Sequence, residues 1–301
     1  MVGRTEARAG SLPLVRAGQG LSPRLRRAWR VARANPLGVL GGLLVLTLVV
    51  VGLFAPVIAP YPINEFSGLP ARGPTAEHIF GTDKFGQDIF SRVVHGARIS
   101  LQVGFLAVGI GTLAGMAIGI LSGYMGGVVD TVVQRCVDTA IAFPQLILLL
   151  VVIRLLGPSL TNVILVVAIG IIPGVARVVR GAVLSERQNQ YVEAARATGA
   201  SGARIMLRHI TPNVLPLGIV IATTLLGSAI LAEASLSFLG LGVPPPNPSW
   251  GADISASRTS FPINTWAALF PGLAISLTVL GFNLLGDALR DVLDPRLRGA
   301  R

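Results

Sequence analysis

Residues 100–122 read SLQVGFLAVGIGTLAGMAIGILS, a stretch with no charged side chain. About 20 largely apolar residues in helical form are enough to cross a hydrocarbon core. Within and just beyond this run, Gly111, Gly115, Gly119 and Gly123 recur every four residues. That spacing stacks them on one helix face and removes the side chains that would hold a neighbouring helix away. The reading is a membrane-spanning helix with a tight packing face, in an all-helical integral membrane protein. The ridge speaks for an interface and not for a particular activity, because such ridges serve membrane proteins of every kind.

Working outward, five further stretches of the same kind lie near 37–60, 137–157, 160–180, 214–237 and 267–288, giving six expected spans. The fourth is interrupted towards its end by Pro173 and Gly174, with Arg177 following. The first is longer than a signal-peptide core and lacks a small-residue cleavage site after it, so it reads as a retained anchor helix. The whole chain of 301 residues is 52% hydrophobic and only 13% charged. That is more apolar surface than one soluble core of this size would bury, and a lipid bilayer is the implied surrounding.

The net charge of +11 does not point to nucleic acid once its distribution is considered. Placing the N-terminus inside puts nineteen arginines on the cytoplasmic side, in residues 1–36, at Arg135, from Arg177 to Arg208 and from Arg290 onward. Five basic residues, Arg72, Lys84, Arg92, Arg98 and Arg258, fall outside. The positive-inside rule therefore gives a multi-pass membrane protein with both termini in the cytoplasm. Arg154 falls within a span, near the outer end, where it can snorkel to the interface. Cys136 is the single cysteine, which excludes an intrachain disulfide and a cysteine metal cluster. It reads as a packed thiol beside a span.

The organisation expected is a basic cytoplasmic tail over 1–36, and a first transmembrane helix with an external segment over 37–98. A core transmembrane domain over 99–290 and a short cytoplasmic tail over 291–301 complete it. In the external segment, prolines give way to a helix-like run from Asp83, where Phe85, Ile89, Arg92, Val93 and Gly96 would lay one edge along the membrane surface. A second external loop, 238–266, contains Pro244, Pro245, Pro246, Pro248 and Trp250. This stiff segment, with an aromatic suited to the interface, reads either as a contact for a partner or as a rigid connector.

Catalytic readings find no support in the residues. The only lysine, Lys84, stands between Asp83 and Phe85, which fails the phosphate-loop pattern, so no nucleotide site is expected in this chain. His78, His95 and His209 share no helix face, so no metal or catalytic centre is expected, and His209 reads as a polar helix residue. An ion-coupled carrier or a membrane-embedded enzyme would want carboxylates or convergent ionisable groups at mid-membrane. Asp138 and Asp287 lie at cytoplasmic ends. Glu233 lies near an external end and is a candidate either for lining or gating a pathway or for structural pairing.

The cytoplasmic loop 181–213 is the most informative. Asn189 to Gly199 reads as a short helix with Asn189 as candidate N-cap and Gly199 as stop. A second helix starts near Ser201 and carries Ile205, Met206, His209 and Ile210 until Pro212 ends it. Ala194, Ala195, Ala197, Gly199, Ala200, Gly202 and Ala203 leave the turn with little side-chain bulk. On physical grounds such a knuckle is equally a docking element for a partner's groove or a plain helical hairpin.

A resemblance bears on that choice. The run Glu193-Ala194-Ala195, with Gly199 four residues on, followed by Ile210, Pro212 and Leu215-Pro216, resembles the EAA loop of permeases of ATP-binding-cassette (ABC) importers. Phe80 to Asp83, Gly96 to Leu101, Leu231 to Gly242 and Asn283 to Asp287 extend the likeness over nearly all of residues 25–298. They narrow it to permeases of the dipeptide, oligopeptide and nickel class, of the second-subunit, dipeptide permease C-like type. Gln87 departs from it, since that class commonly carries arginine before the aspartate matched by Asp88. The resemblance implies a transport subunit without catalytic residues, whose EAA loop docks as a coupling helix on a separate ATPase subunit. It also implies a homologous permease as partner, two ATPase subunits holding ATP and magnesium, an extracytoplasmic solute-binding protein, and a peptide, glutathione-like peptide or nickel chelate as substrate.

Overall fold

The structure is a computed structural model, and it describes residues 35–260 and 263–293; most of the expected tail over 1–36 and the end of the chain lie outside those residues. Among the described residues the regular structure is helical. Helix α1 spans Pro36–Leu53 and α2 Ala55–Ile58; α3 is Ile89–Met125, α4 Gly127–Ala142, α5 Gln145–Leu156 and α6 Leu160–Glu186. Two short helices follow, α7 Gln190–Ala197 and α8 Gly202–Ile205, then a π turn over Met206–Ile210, α9 Thr211–Phe238, α10 Trp250–Ser257 and α11 Trp266–Leu293. Among the described residues five continuous helical stretches are long and apolar enough to cross a membrane, and a sixth crossing is made if the α4–α5 pair counts as one.

The glycine ridge does what its spacing implies. A Cβ at Gly115 would lie 2.7 Å from the Cβ of Val175, one at Gly111 2.9 Å from that of Ile171, and one at Gly123 3.0 Å from that of Val183. At Gly119 the intruding atom would meet backbone, 2.6 Å from the carbonyl of Ala176. The opposing residues ascend together, so α3 and α6 run parallel, backbone against backbone. Val175, Ala176, Val179 and Val183 are buried along this seam. Gly104 against Ile230 and Gly218 against Met116 descend against each other, so α9 returns antiparallel to α3. In the same way Gly41 faces Leu284 and Gly281 faces Leu44, which sets α1 antiparallel to α11.

Parallel neighbours need a crossing between them, and α4 and α5 provide it in bent form. The span expected over 137–157 is broken: the two helices meet at 95°. Pro144 disfavours the helical conformation for the residue before it, and Phe143 is extended at φ −80°, ψ 135°. Arg180 holds α4 against α6 through a bidentate pair, Nε to Asp130 Oδ1 at 2.6 Å and Nη2 to Oδ2 at 2.5 Å, and Arg177 pairs with Asp138. Cys136, expected as a packed thiol, is exposed on α4 in this chain.

The separate surface helix expected from Asp83 is not formed. Residues 83–88 make a turn, Asp88 caps the helix by accepting from Ser91 N at 2.7 Å, and α3 then continues unbroken to Met125. At 37 residues it is roughly 55 Å long, well beyond the hydrocarbon thickness. Its first turns carry the polar residues Ser91, Arg92, His95 and Arg98, and the run without charge begins only after them. Trp250 does not sit at a lipid interface either: it is buried, its Nε1 donates to the carbonyl of Val93 at 2.9 Å, and it lies where a Cβ on Gly96 would be.

Replacing Gly115 with leucine sets a side chain against backbone and the Val175 Cβ, and overpacking of this kind costs about 1–3 kcal/mol or more. Gly109, on the same helix, has nothing among the described residues within 4 Å of a Cβ. Gly115→Leu is expected to lower the melting temperature and yield of the detergent-solubilised protein, and Gly109→Leu to leave both unchanged. Equal behaviour of the two variants would remove the seam from the account.

Candidate functional site

The loop between α6 and α9 folds as a two-helix hairpin on a buried base. Val192 from α7, Ile205 from α8 and Ile210 from the π turn are all essentially inaccessible and join the core of the bundle. Sequence alone ended the second helix at Pro212 and started the next span near Pro216. The chain instead passes without a break from Gly202 to Phe238. The π turn shifts the ladder by one residue, with Thr211 N and Oγ1 both donating to the Met206 carbonyl, the latter at 2.9 Å. Pro212 is tolerated inside this continuous run because the π turn widens the ladder just ahead of it.

The turn is a Schellman motif. Ala200 N donates to the Ala195 carbonyl at 3.0 Å and Gly199 N to that of Arg196 at 2.9 Å, with Gly199 at φ +80°. These bonds close the last turn of α7 only if the residue after its cap is left-handed, a conformation for which glycine is suited. Ser201 then caps α8, its Oγ accepting from Arg204 N at 3.4 Å. Asn189 has the extended backbone of an N-cap, but its side chain makes no cap bond. Among the described residues nothing lies within 4 Å of a Cβ placed at Gly199, so that face is open.

The residues of the EAA-like run divide between two tasks. Glu193, Ala194, Gly199 and Pro212 are exposed, whereas Ala195 packs against the core and Ile210 is wholly buried. Ile210 thus holds the hairpin's base and offers nothing to a partner. The base is tied to the rest of the bundle by Arg187, whose Nη1 donates to the Gly123 carbonyl at 3.1 Å at the end of the glycine seam. Tyr124, the next residue, covers Gly202. Tyr191 donates to Glu186 and accepts from Asn213 Nδ2 at 3.1 Å, while Asn213 also donates to the His209 carbonyl at 2.6 Å. Burial and the Glu186 carboxylate push the Tyr191 hydroxyl upward.

Glu233 lies at the opposite end of α9, with no exposed surface. Its Oε1 accepts from Ser237 Oγ and Ser249 Oγ, both at 2.8 Å, and Ser237 Oγ accepts in turn from Val243 N at 3.3 Å. The carboxylate therefore draws the proline-rich loop back onto its helix. Gly242 packs so closely there that a Cβ would overlap Ser237.

Sequence reasoning missed a second polar cluster at this end. Arg92 pairs with Asp253, its Nε donating to Oδ1 at 3.0 Å, and its Nη1 donates to Gln87 Oε1 at 2.6 Å and Asn64 Oδ1 at 3.3 Å. Gln87, at the position where the resembled class carries arginine, thus serves as an acceptor for Arg92. Burial pushes the Asp253 carboxyl up, with Arg92 acting against it. His78 and Asp88 form a further buried pair at 3.0 Å. Arg92 and Asp253 are 161 residues apart, and neither is marked in the sequence as the other's partner.

With this geometry in place, the relatives can be compared. Residues 115–299 match the family described as binding-protein-dependent transport system inner membrane component, and residues 23–72 match the N-terminal TM domain of oligopeptide transport permease C. A dipeptide transport system permease protein DppC of Alkalihalophilus pseudofirmus is 42% identical over 274 residues, covering 91% of this chain and 90% of the relative. A glutathione transport system permease protein GsiD of Escherichia coli O6:K15:H31 is 44% identical over 298 residues, 98% of each chain. Among solved structures, a chain of the MetNI methionine ABC transporter in inward facing conformations shares the fold, with a TM-score of 0.56 at 22% identity over 67% of this chain and 96% of that one. The match over the bundle and its hairpin, with relatives aligned almost end to end, places this chain in the family of binding-protein-dependent transport system inner membrane components.

Proposed function

We propose that this chain is one permease subunit of an ATP-driven importer of di- or oligopeptides, and that its hairpin is the coupling element for a separate ATPase subunit. The observation that carries the reading is the hairpin itself: a knuckle of small exposed residues, closed by a left-handed glycine, on a base clamped to the end of the glycine seam. The substrate class rests on the relatives named for dipeptide and oligopeptide transport. A glutathione-like peptide is the second reading, favoured by the end-to-end similarity to a glutathione permease.

In this reading a homologous permease completes the pathway, two ATPase subunits bind ATP and magnesium below it, and a solute-binding protein delivers substrate above. This chain supplies no catalytic group. The seam, the hairpin and α9 act as one lever: when ATP closes the ATPase subunits, force on the knuckle passes through Arg187, Tyr124 and the continuous helix beyond the π turn into the spans. In this reading the membrane is that of a bacterial-type cell, and the arginine distribution supports a cytoplasmic hairpin and cytoplasmic termini, with the Glu233 end outside. Glu233 is assigned to holding the outer loop closed and not to lining the pathway.

Two measurements test this. In a Cys136→Ser background, a cysteine at exposed Ala76 should react with an impermeant maleimide in intact cells, and one at exposed Thr198 only after permeabilisation; the reverse pattern would invert the topology. Valine at Gly199 adds the strain of a left-handed β-branched residue, about 1–2 kcal/mol, as well as bulk on the docking face. Gly199→Val, and Glu193→Ala less severely, should leave membrane insertion and pairing intact while reducing ATPase co-purification and peptide import into reconstituted vesicles. Wild-type import with the ATPases fully bound in both variants would reduce the hairpin to a connector.

A further inference from the structure

Helices α9 and α11 lie side by side in opposite directions: a Cβ on Gly286 would meet Thr224 Cγ2 at 2.9 Å, and one on Gly227 would meet Asn283 Oδ1 at 3.3 Å. Asn283 thus leans over the gap that Gly227 leaves in α9. It is exposed, and its side chain makes no hydrogen bond among the described residues. Trp266–Val292 is a membrane-spanning length of 27 residues, and Asn283 stands about 6 Å from its middle, well inside a hydrocarbon core about 30 Å thick. An amide offers two donors and an acceptor with two lone pairs, and lipid tails can meet none of them. A polar side chain at this depth faces protein or a water-filled cavity, not lipid.

The surroundings of Asn283 point to water. Ser228, next to Gly227 on α9, is exposed, and its hydroxyl donates to the Leu225 carbonyl at 2.9 Å. Two turns on, Ser235 donates to the Leu231 carbonyl at 2.7 Å and lines an open groove of about 350 Å³ between α5, α9, α10 and α11. On α11, Ser276 is exposed two turns from Asn283 on the same face and donates to the Gly272 carbonyl at 2.9 Å. Asp287, one turn beyond Asn283 toward the hairpin end, is exposed as well. Each hydroxyl has placed its proton on its own helix and keeps lone pairs free for another donor. A packed helix contact would give the amide one fixed partner, whereas here polar positions follow one another along the direction of crossing, from the groove to Asp287.

We propose that the furrow between α9 and α11 is this chain's share of a water-filled pathway, and that Asn283 pairs there with a backbone peptide group of the passing substrate. Its NH₂ donates to the peptide carbonyl and its own carbonyl accepts from the peptide N–H. Every peptide bond presents the same donor and acceptor, so the contact is indifferent to side chains. The assignment rests on the peptide-import reading, which it deepens to one named contact.

The test uses the assembled importer in vesicles, in a Cys136→Ser background, with single cysteines Asn283→Cys and Leu277→Cys. Leu277 is exposed on the same helix, about a third of a turn around from Asn283. A charged, membrane-impermeant thiosulfonate should modify the cysteine at 283 at least about tenfold faster than that at 277, and dialanine supplied with the binding protein should slow the faster reaction. Asn283→Leu, an apolar change that a membrane helix accepts, should insert and bind the ATPases normally yet import dialanine about tenfold less efficiently, the scale of two lost hydrogen bonds. Asn283→Gln should recover part of that loss. Equal reactivity of the two cysteines, cross-linking of Asn283→Cys to the second permease in place of labelling, or wild-type import by a folded Asn283→Leu variant would overturn the assignment. Dialanine import with an unreactive cysteine at 283 defeats the furrow alone. A reactive cysteine there in an importer that moves no peptide defeats the import reading and leaves the furrow standing as a water-filled face.

Discussion

The structure depends on the contact between α3 and α6. In lipid no hydrophobic gain separates protein from tail, so helices adhere through close van der Waals packing, and the closest packing is available where a face carries no side chains. Four glycines on α3 provide that face and α6 fills it with β-branched residues and its own carbonyls. Because the seam is parallel, the chain must cross the bilayer once between the two helices. That requirement accounts for the bent α4–α5 pair and for the arginine pairs that fasten α4 back onto α6.

The same seam connects the two ends of the molecule. At one end it stops at Gly123 and Tyr124, and these two residues receive Arg187 and Gly202 of the hairpin. At the other, the long first turns of α3 carry Asp88, Arg92, Val93 and Gly96, which hold the external segment, Asp253 and Trp250. The hairpin proposed as docking face and the polar cluster at the opposite end are thus attached to one pair of helices.

Much of this was legible in the sequence where a single residue or a short period carries the constraint. The apolar runs located the spans, the four-residue glycine period marked the seam before its partner was known, and Gly199 announced the left-handed turn. Readings failed where a local signal was overridden by something distant or by an adjustment of register. Pro212 did not end a helix because a π turn widened the ladder ahead of it. Phe143-Pro144 broke a run whose apolarity suggested one straight span. Trp250 looked like an interfacial aromatic until Gly96 opened a place for it in the interior, and Arg92 met Asp253 only through the fold. Within the EAA-like run, residue identity did not reveal that Ile210 faces inward while Glu193 faces outward; that division follows from how the two short helices pack.

The claim that hairpin and seam move as one body is open to direct measurement. Spin labels at exposed Thr198 on the hairpin and exposed Leu113 on α3 report one intramolecular distance in the assembled importer, without nucleotide and with ATP bound under non-hydrolysing conditions. The account predicts that this distance changes by less than about 2 Å, the scale of small helix adjustments, while the distance between the two permeases' hairpins changes by more. A within-chain change as large as the change between subunits would show that the hairpin swings freely on its base, and the lever described here would not exist.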